Sequence, residues 1–384
     1  MTRDPRHILF VSLDDPRDPR SWSGIPHSVL RALERRVERV DVLTGVPIVG
    51  RPVDRLINRL QGDRRYPLWL TKPVLRDFGR ALERAVEDLR PDAVVAVSAP
   101  HLAHCRPELF DRVPVVMFCD GPWELWQEAY AAYTERRLRT RAYGRREADV
   151  ARRITATVYA SEWATDWLAT RHGVPRDRLL AVPFGPNLTP PVPPPPRSAP
   201  RGRIRLLFVG VDWRRKGGPF AVAVTRALRT LGRDAHLDIV GCTPKPAEID
   251  PAFVEVHGVL SLHAPAERER LERLYGVADF LLVPTRAECF GIVFAEAGAF
   301  AVPAVAGDVH AVPSIIEDGI NGLLVGERDD PDAVARRIAD LVDDADGYAR
   351  MSATARARCE ERFGWDIFAG RLLEALDRGR PGIG

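Results

Sequence analysis

The sequence predicts an α/β protein of two Rossmann-like domains, each a mostly parallel sheet covered by helices on both faces. Three observations carry that prediction. Short apolar, strand-like runs alternate with amphipathic helical stretches from the first residues onward. The alternation stops at Thr189–Arg203, TPPVPPPPRSAPRGR, whose prolines sustain neither a helix nor a central strand. It begins again at Ile204, and at 384 residues there is room for two cores of ordinary size.

Taken in order, His7–Leu13 is a compact apolar strand, followed by a loop and the amphipathic stretch Ile25–Arg39. Val40–Thr44, Ala93–Ser98, Pro114–Cys119 and Thr155–Ala160 read as further strands. Their unbroken apolar character suits a sheet buried on both sides rather than one facing water. The proline-dense stretch reads as a semi-rigid linker over 189–203. Beyond it come the strand Ile204–Gly210, the helix Pro219–Leu231 and the strands Leu237–Gly241 and Val254–Gly258. The helix Ala266–Tyr275, the strand Asp279–Pro284 and a last helix, Trp365–Leu376, follow. Domains are therefore expected at 1–188 and 204–364, with a cleft between the facing carboxyl ends of the two sheets.

Composition narrows the class of function. The chain is 45% hydrophobic and 28% charged, an ordinary globular balance, and its net charge of +3 gives no broad nucleic-acid footprint. Basic residues are almost all arginine, with lysine only at Lys72, Lys216 and Lys245. That bias, with abundant Ala and Pro, reflects a high-GC genome more readily than a partner. The run Arg136–Arg153 reads as a solvated helix face. Five scattered cysteines without a Cys-x-x-Cys pair fit a reducing cytosol and exclude a zinc knuckle or disulfide scaffold. The N-terminus returns to charge at Asp14 after a short apolar run, unlike a signal peptide, and no run nears the ~20 apolar residues that span a bilayer. A cytoplasmic protein is expected; peripheral membrane contact would need an apolar face beside Arg51–Arg65 or Arg136–Arg153.

The most informative segment is Leu281–Val325. An apolar run from Ala278 to Val283 leads into a loop holding Glu288 and ending Cys289-Phe290-Gly291, and Glu296 follows about two turns into the next helix. Two acids at that offset can grip two parts of one extended, hydroxyl-rich ligand, with the free N–H groups of the helix start pointing at it. Loops at the carboxyl ends of parallel strands are where open α/β sheets bind ligands. A second signature is LLFVGVDWRRKGGPFAV, in which Arg214, Arg215, Lys216, Gly217 and Gly218 lie between a strand and a helix. Cations and glycines at a helix start suit a diphosphate, although the spacing is not that of the Gly-x-x-x-x-Gly-Lys-Ser/Thr loop. Alone, either feature is commonly a surface acid or an arginine beside a turn; together they reinforce each other.

The Glu-x7-Glu segment resembles the donor signature of retaining GT-B nucleotide-sugar glycosyltransferases, and Asp212 through Gly218 resembles the Asp-Trp-x-Arg-Lys-Gly-Gly branch of that group. The resemblance implies a GT-B fold in which the last helix, after Phe363-Gly364-Trp365, returns to the N-terminal domain over 365–380. It implies that Arg215 and Lys216 contact the donor diphosphate and that Glu288 hydrogen-bonds a sugar hydroxyl. The N–H groups of Cys289, Phe290, Gly291 and Ile292 would lie near sugar and phosphate, and Glu296 would accept the ribose hydroxyls. Gly258 and Val259 would flank the nucleobase, while Gly24, in the loop before the first helix, would approach the donor phosphate.

Two departures stand out. Cys119 occupies the place where many relatives carry a histidine near the reacting sugar, so that role is lost or falls to Asp120. His310 and Ala311 stand where relatives tend to have glycine and add side chains near the donor. Asp120, Trp123, Glu124 and His101 are the candidates on the acceptor side, with helix capping as the other reading of Asp120. There is no clear Asp-x-Asp metal site, so no metal is implied, and no cofactor beyond the nucleotide-sugar donor itself. The implied reaction is retaining transfer of a sugar from a nucleotide diphosphate to a hydroxyl of a small polar acceptor. Composition alone suggests an aminocyclitol or another secondary metabolite. Surface polysaccharide or lipid transfer, or a GT-B sugar-nucleotide epimerase or pseudo-glycosyltransferase, is the alternative.

Overall fold

The computed structural model describes residues 4–46, 52, 71–133 and 141–378. Backbone contacts divide the chain into two units, Met1–Phe184 with Trp365–Gly384, and Gly185–Gly364. The basic stretch Arg51–Arg65 lies almost wholly outside the described residues, as do residues 136–140.

In the first unit, β1 (Asp4–Val11), β2 (Val37–Leu43), β3 (Ala93–Val97), β4 (Val115–Cys119), β5 (Ala156–Tyr159) and β6 (Leu179–Ala181) form one sheet in the order β2-β1-β3-β4-β5-β6. Every pairing is parallel. Its helices are α1 (Ile25–Arg36), α2 (Lys72–Leu89), α3 (Pro107–Arg112), α4 (Trp123–Ala129), α5 (Arg141–Arg153) and α6 (Glu162–His172). Alternate side chains of the central strands explain the unbroken apolar runs. Leu9, Val11, Val94, Ala96, Val115 and Met117 pack in one cluster with Phe78 and Leu82 of α2 and with Tyr143 and Val150 of α5. Phe10 and Phe118, elsewhere on the sheet, have their ring centroids 6.1 Å apart with the planes tilted by 54°.

The expectation for Arg136–Arg153 is corrected. Tyr143, Glu147 and Val150 recur at helical spacing along one face of α5, and all three are buried. The dense arginines mask an inward stripe whose one acid would ordinarily be counted as surface.

The second unit repeats the plan with β7 (Ile204–Val209), β8 (Ala235–Val240), β9 (Val254–Gly258), β10 (Phe280–Val283), β11 (Ala304–Gly307) and β12 (Gly322–Val325), ordered β12-β11-β10-β7-β8-β9 and again all parallel. Its helices are α7 (Gly218–Thr230), α8 (Pro265–Val277), α9 (Ile292–Ala299), α10 (Pro331–Asp343) and α11 (Ala345–Arg362). The proline-rich stretch has no regular element, but it is fastened to this unit. Arg197 donates to the carbonyls of Phe300 (3.1 Å) and Tyr275 (2.9 Å), and its own N–H donates to Ser352 Oγ. The terminal helix α12 (Trp365–Asp377) belongs to the first unit, where Phe368 meets Phe118 and Phe184 at 5.6 and 5.2 Å.

In each sheet the strand order reverses once, between β1 and β3 and between β7 and β10. Connections diverge to opposite faces there, leaving a crevice at the carboxyl ends of the two strands.

Candidate functional site

At the β7/β10 reversal the two sequence signatures meet. Gly217, with φ 79°, caps α7, and a Cβ there would stand 2.1 Å from the carbonyl oxygen of Pro284. Only glycine lets the loop after β7 lie against the loop after β10. The contact is sealed by Arg286 N–H donating to the Arg215 carbonyl at 2.8 Å. Lys216, 7% exposed, directs its ammonium onto the Glu288 carboxylate. The Arg215 guanidinium donates to the Ala287 carbonyl at 2.8 Å and lies 3.7 Å from the same Glu288 oxygen. Two cations thus face one buried carboxylate. Arg214 is spent elsewhere, paired with Glu248 at 2.8 Å on the surface.

Gly291 (φ 92°) caps α9, and a side chain there would meet the Phe294 ring at 2.6 Å. Its tight turn leaves Cys289 and Phe290 buried and starts the helix at Ile292, with the first-turn N–H groups beside Glu288. His310, in the left-handed region at φ 52°, accepts the Glu288 backbone N–H on Nδ1 at 3.3 Å. A ring accepting there is unprotonated at Nδ1, and burial lowers its pKa against the opposing pull of Glu288.

Glu296 differs from expectation in position. Because α9 begins only at Ile292, Glu296 is one turn into the helix rather than two, while Glu288 lies in the loop before it, as expected. The Glu296 carboxylate is buried and accepts from Tyr275 Oη at 3.1 Å and from the backbone N–H groups of Asn187 and Leu188. Burial raises its pKa to about 7 against those donors. Ribose hydroxyls would share it with these protein groups. Gly258 (φ 69°) ends β9, with open space beside it and Val259 71% exposed.

The β1/β3 reversal of the first unit opens into a cavity of about 300 Å³. Its wall comes from the strand ends (Ser12 and Asp14, Ser98, Cys119 and Asp120), from Trp22 before α1, from Trp123 and Trp126 of α4, and from Tyr143 and Glu147 of α5. Trp22, Ser23 and Gly24 take successive φ values of 43, 55 and 77°, a left-handed run that turns Trp22 edge-on to Phe184 at 6.1 Å. Gly24 caps α1 and is buried behind this turn.

Asp120 lines the cavity, and the Cys119 thiol donates to it at 3.4 Å. Burial pushes that thiol's pKa well up, so it stays protonated. Asp120 does not cap α4: Pro122 holds the cap position, and the Trp123 backbone N–H donates to Glu147 at 3.0 Å. Glu147, which sequence reasoning missed, also accepts from Tyr159 Oη at 3.2 Å. Burial raises its carboxyl to about 7, opposed by those two donors and reinforced by Asp120 and Glu124.

Two acceptor-side candidates are placed elsewhere. Glu124 is 2% exposed and turns to His172 Nε2 (3.1 Å) and Arg171 (3.5 Å). Its carboxylate lies where a Cβ on residue 144 would be, which requires Gly144. His101 is 1% exposed and stacks on Phe78 at 4.6 Å, with neither ring nitrogen hydrogen-bonded. Burial lowers its pKa to about 4. Neither lines the cavity. Among the described residues one group has metal-ligand spacing, His236, Asp238 and Glu255 on β8 and β9, with Asp238 also bound to His257 at 2.7 Å. No helix among the described residues is long and apolar enough to cross a membrane.

Residues 203–344 match the family described as glycosyl transferases group 1, and residues 27–190 match glycosyltransferase family 4. A D-inositol 3-phosphate glycosyltransferase of Xylanimonas cellulosilytica is 35% identical over 237 residues, 57% of this chain and 56% of that protein. The chain thus spans little more than half the length of that relative. The structure of Anabaena HepE in complex with UDP superposes with a TM-score of 0.67 at 16% identity, covering 97% of this chain and 99% of that one. Sucrose-phosphate synthase from Thermosynechococcus elongatus gives a TM-score of 0.67 at 19% identity, covering 98% and 100%. These structures share the GT-B fold with the chain.

Proposed function

We propose, on the premise that this chain is a GT-B glycosyltransferase of the family-4-like type, that it moves a sugar from a nucleotide diphosphate to a hydroxyl of a small polar acceptor with retention of anomeric configuration. The observation that carries the proposal is the convergence of Arg215 and Lys216 on Glu288 at the β7/β10 reversal. Two cations against one carboxylate leave positive charge for a diphosphate, and the start of α9 adds N–H donors. The neighbour HepE was solved with UDP, and the Xylanimonas relative is named for D-inositol 3-phosphate, a small polar hydroxylated molecule, both of which support this reading.

In the reaction the acceptor oxygen forms a bond to the anomeric carbon as the bond to the diphosphate oxygen breaks. The acceptor proton passes to the departing diphosphate on the same face. Arg215 and Lys216 stabilise the charge that builds on the leaving group, and Glu288 holds a sugar hydroxyl. Glu296 takes the ribose alongside Tyr275. Asp120 accepts a hydrogen bond from the acceptor or the donor sugar, the work a protonated thiol at Cys119 cannot do.

A thermal-shift panel of nucleoside diphosphates and their sugar conjugates tests the donor: a cognate ligand at ~100 times its dissociation constant stabilises by about 2.7 kcal/mol. NMR of the product then reads the anomeric configuration. Inversion, or conversion of the donor without any acceptor, would sink the retaining-transferase reading.

A further inference from the structure

We infer that β8 and β9 carry a binding site for a first-row divalent cation of the zinc type, with His236, Asp238 and Glu255 as its protein ligands. The site lies along the strands rather than in the loops at their carboxyl ends, and it does not rest on the transferase reading. His236 and Asp238 stand two apart on β8 and so share one face of the sheet, and Asp238 is in register with Glu255 of β9. One imidazole nitrogen and two carboxylate oxygens thereby come within 4.8 Å of one another. A cation about 2.0–2.2 Å from each would draw them to about 3.4 Å apart. His236 and Glu255 can close that gap by side-chain rotation. Among the described residues neither side chain holds a hydrogen bond: Glu255, 58% exposed, lies 3.6 Å from His257 Nδ1, and His236 lies 3.9 Å from Asp238.

The anchoring of Asp238 separates this group from a chance meeting of surface side chains. Register between β8 and β9 slips between Ile239 and Val240, which leaves His257 as an extra, bulged residue of β9. Its side chain is 5% exposed, with Nε2 2.7 Å from Asp238. Arg270 of α8 approaches Nδ1 at 2.6 Å and can only donate, so Nδ1 accepts and the ring proton sits on Nε2, given to Asp238. A ligating side chain held by a buried outer partner is the usual build of a metal site. The imidazole selects a zinc-type ion over magnesium, which prefers oxygen alone. Arg270, and Arg205 beside His236 in the strand register, bring positive charge near, so affinity on the order of micromolar is expected.

The test uses the intact chain, freed of metal with a chelator, and titrates it without nucleotide. Zn2+ is followed by calorimetry, and Co2+ by the visible absorption that reports nitrogen and oxygen ligation. One ion per chain is expected, with a melting temperature raised by several degrees at saturation and no displacement by Mg2+. His236→Ala and Glu255→Gln should each weaken Zn2+ binding at least about tenfold. His263→Ala, at an exposed histidine before α8, should leave it unchanged. A parent chain that binds no Zn2+, displacement by Mg2+, or equal loss in His263→Ala overturns the inference. So does a His236→Ala chain that binds as the parent does; if that chain fails to fold, Glu255→Gln, at an exposed position, decides alone. Nucleoside diphosphates titrated in chelator are read apart: their failure to bind sinks the transferase proposal and leaves the metal site standing.

Discussion

At the scale of single residues, the Lys216–Glu288 pair is where stability and chemistry are entangled. Removing one partner of a buried pair leaves an uncompensated charge and costs about 3–5 kcal/mol. Lys216→Met should therefore melt early as well as lose turnover by roughly a hundredfold or more. Lys216→Met with Glu288→Gln should regain much of the melting temperature in calorimetry and none of the activity; recovered activity would show that Lys216 only neutralises its neighbour. Glu296→Ala should weaken nucleoside-diphosphate binding about ten- to hundredfold through lost charged hydrogen bonds. Unchanged affinity by titration calorimetry would leave Glu296 as a clasp for the 187–188 backbone alone. That Arg215, Lys216 and Glu288 belong to one site was legible because two loops, one rich in glycines and cations and one holding the acids, each follow an apolar strand. Glu147 was not legible, since a lone acid in an arginine-rich helix has the pattern of a solvated one. Glu124 and His101 do not line the cavity that Asp120 and Trp123 line, because neighbouring positions on one loop or helix can face opposite ways.

At the scale of elements, the site depends on two loops touching through Gly217. Gly217→Ala places a methyl group into the Pro284 carbonyl at a left-handed backbone position. It is expected to cost about 1–3 kcal/mol of stability and to abolish nucleotide-dependent thermal stabilisation. Gly232→Ala is the control: it too has positive φ (81°) but open space around it, so it should lose stability without losing nucleotide binding. The long apolar strands and amphipathic helices were readable, with boundaries within a few residues. β6, β11 and β12 were not, because three- or four-residue runs gain their identity from neighbouring strands rather than from any pattern of their own.

At the scale of the whole molecule, both units bury a carboxyl raised to about 7, Glu147 in one and Glu296 in the other. Each keeps its proton in the folded state at a pH where the unfolded chain has released it. Stability is therefore full below about pH 4.5 and falls as pH rises toward 7, by up to ~1.4 kcal/mol per pH unit for each group. His101, lowered to about 4, acts oppositely: the unfolded chain binds a proton that the folded one refuses, so its contribution is lost as pH falls below about 6.5. Two acids against one histidine leave a net decline from these groups across about pH 5 to 7. Urea titrations should show Glu147→Gln and Glu296→Gln each flattening that decline, and His101→Phe steepening it. A parent-minus-variant difference independent of pH would mean the group titrates normally.

The terminal helix α12 also bears on synthesis. Phe118 and Phe184 are made early, yet the Phe368 that covers them comes only after the whole of Gly185–Gly364. At about 5–20 residues per second, the ribosome needs roughly 10–40 s for that stretch. For that interval the nascent first unit carries an uncovered aromatic face while the second is already free to fold, a window in which a chaperone, rather than the chain, decides between folding and aggregation. A chain ended at Gly364 makes the window permanent. It is expected to bind a hydrophobic dye and sediment as aggregate, and to recover when the terminal helix is supplied as a separate peptide.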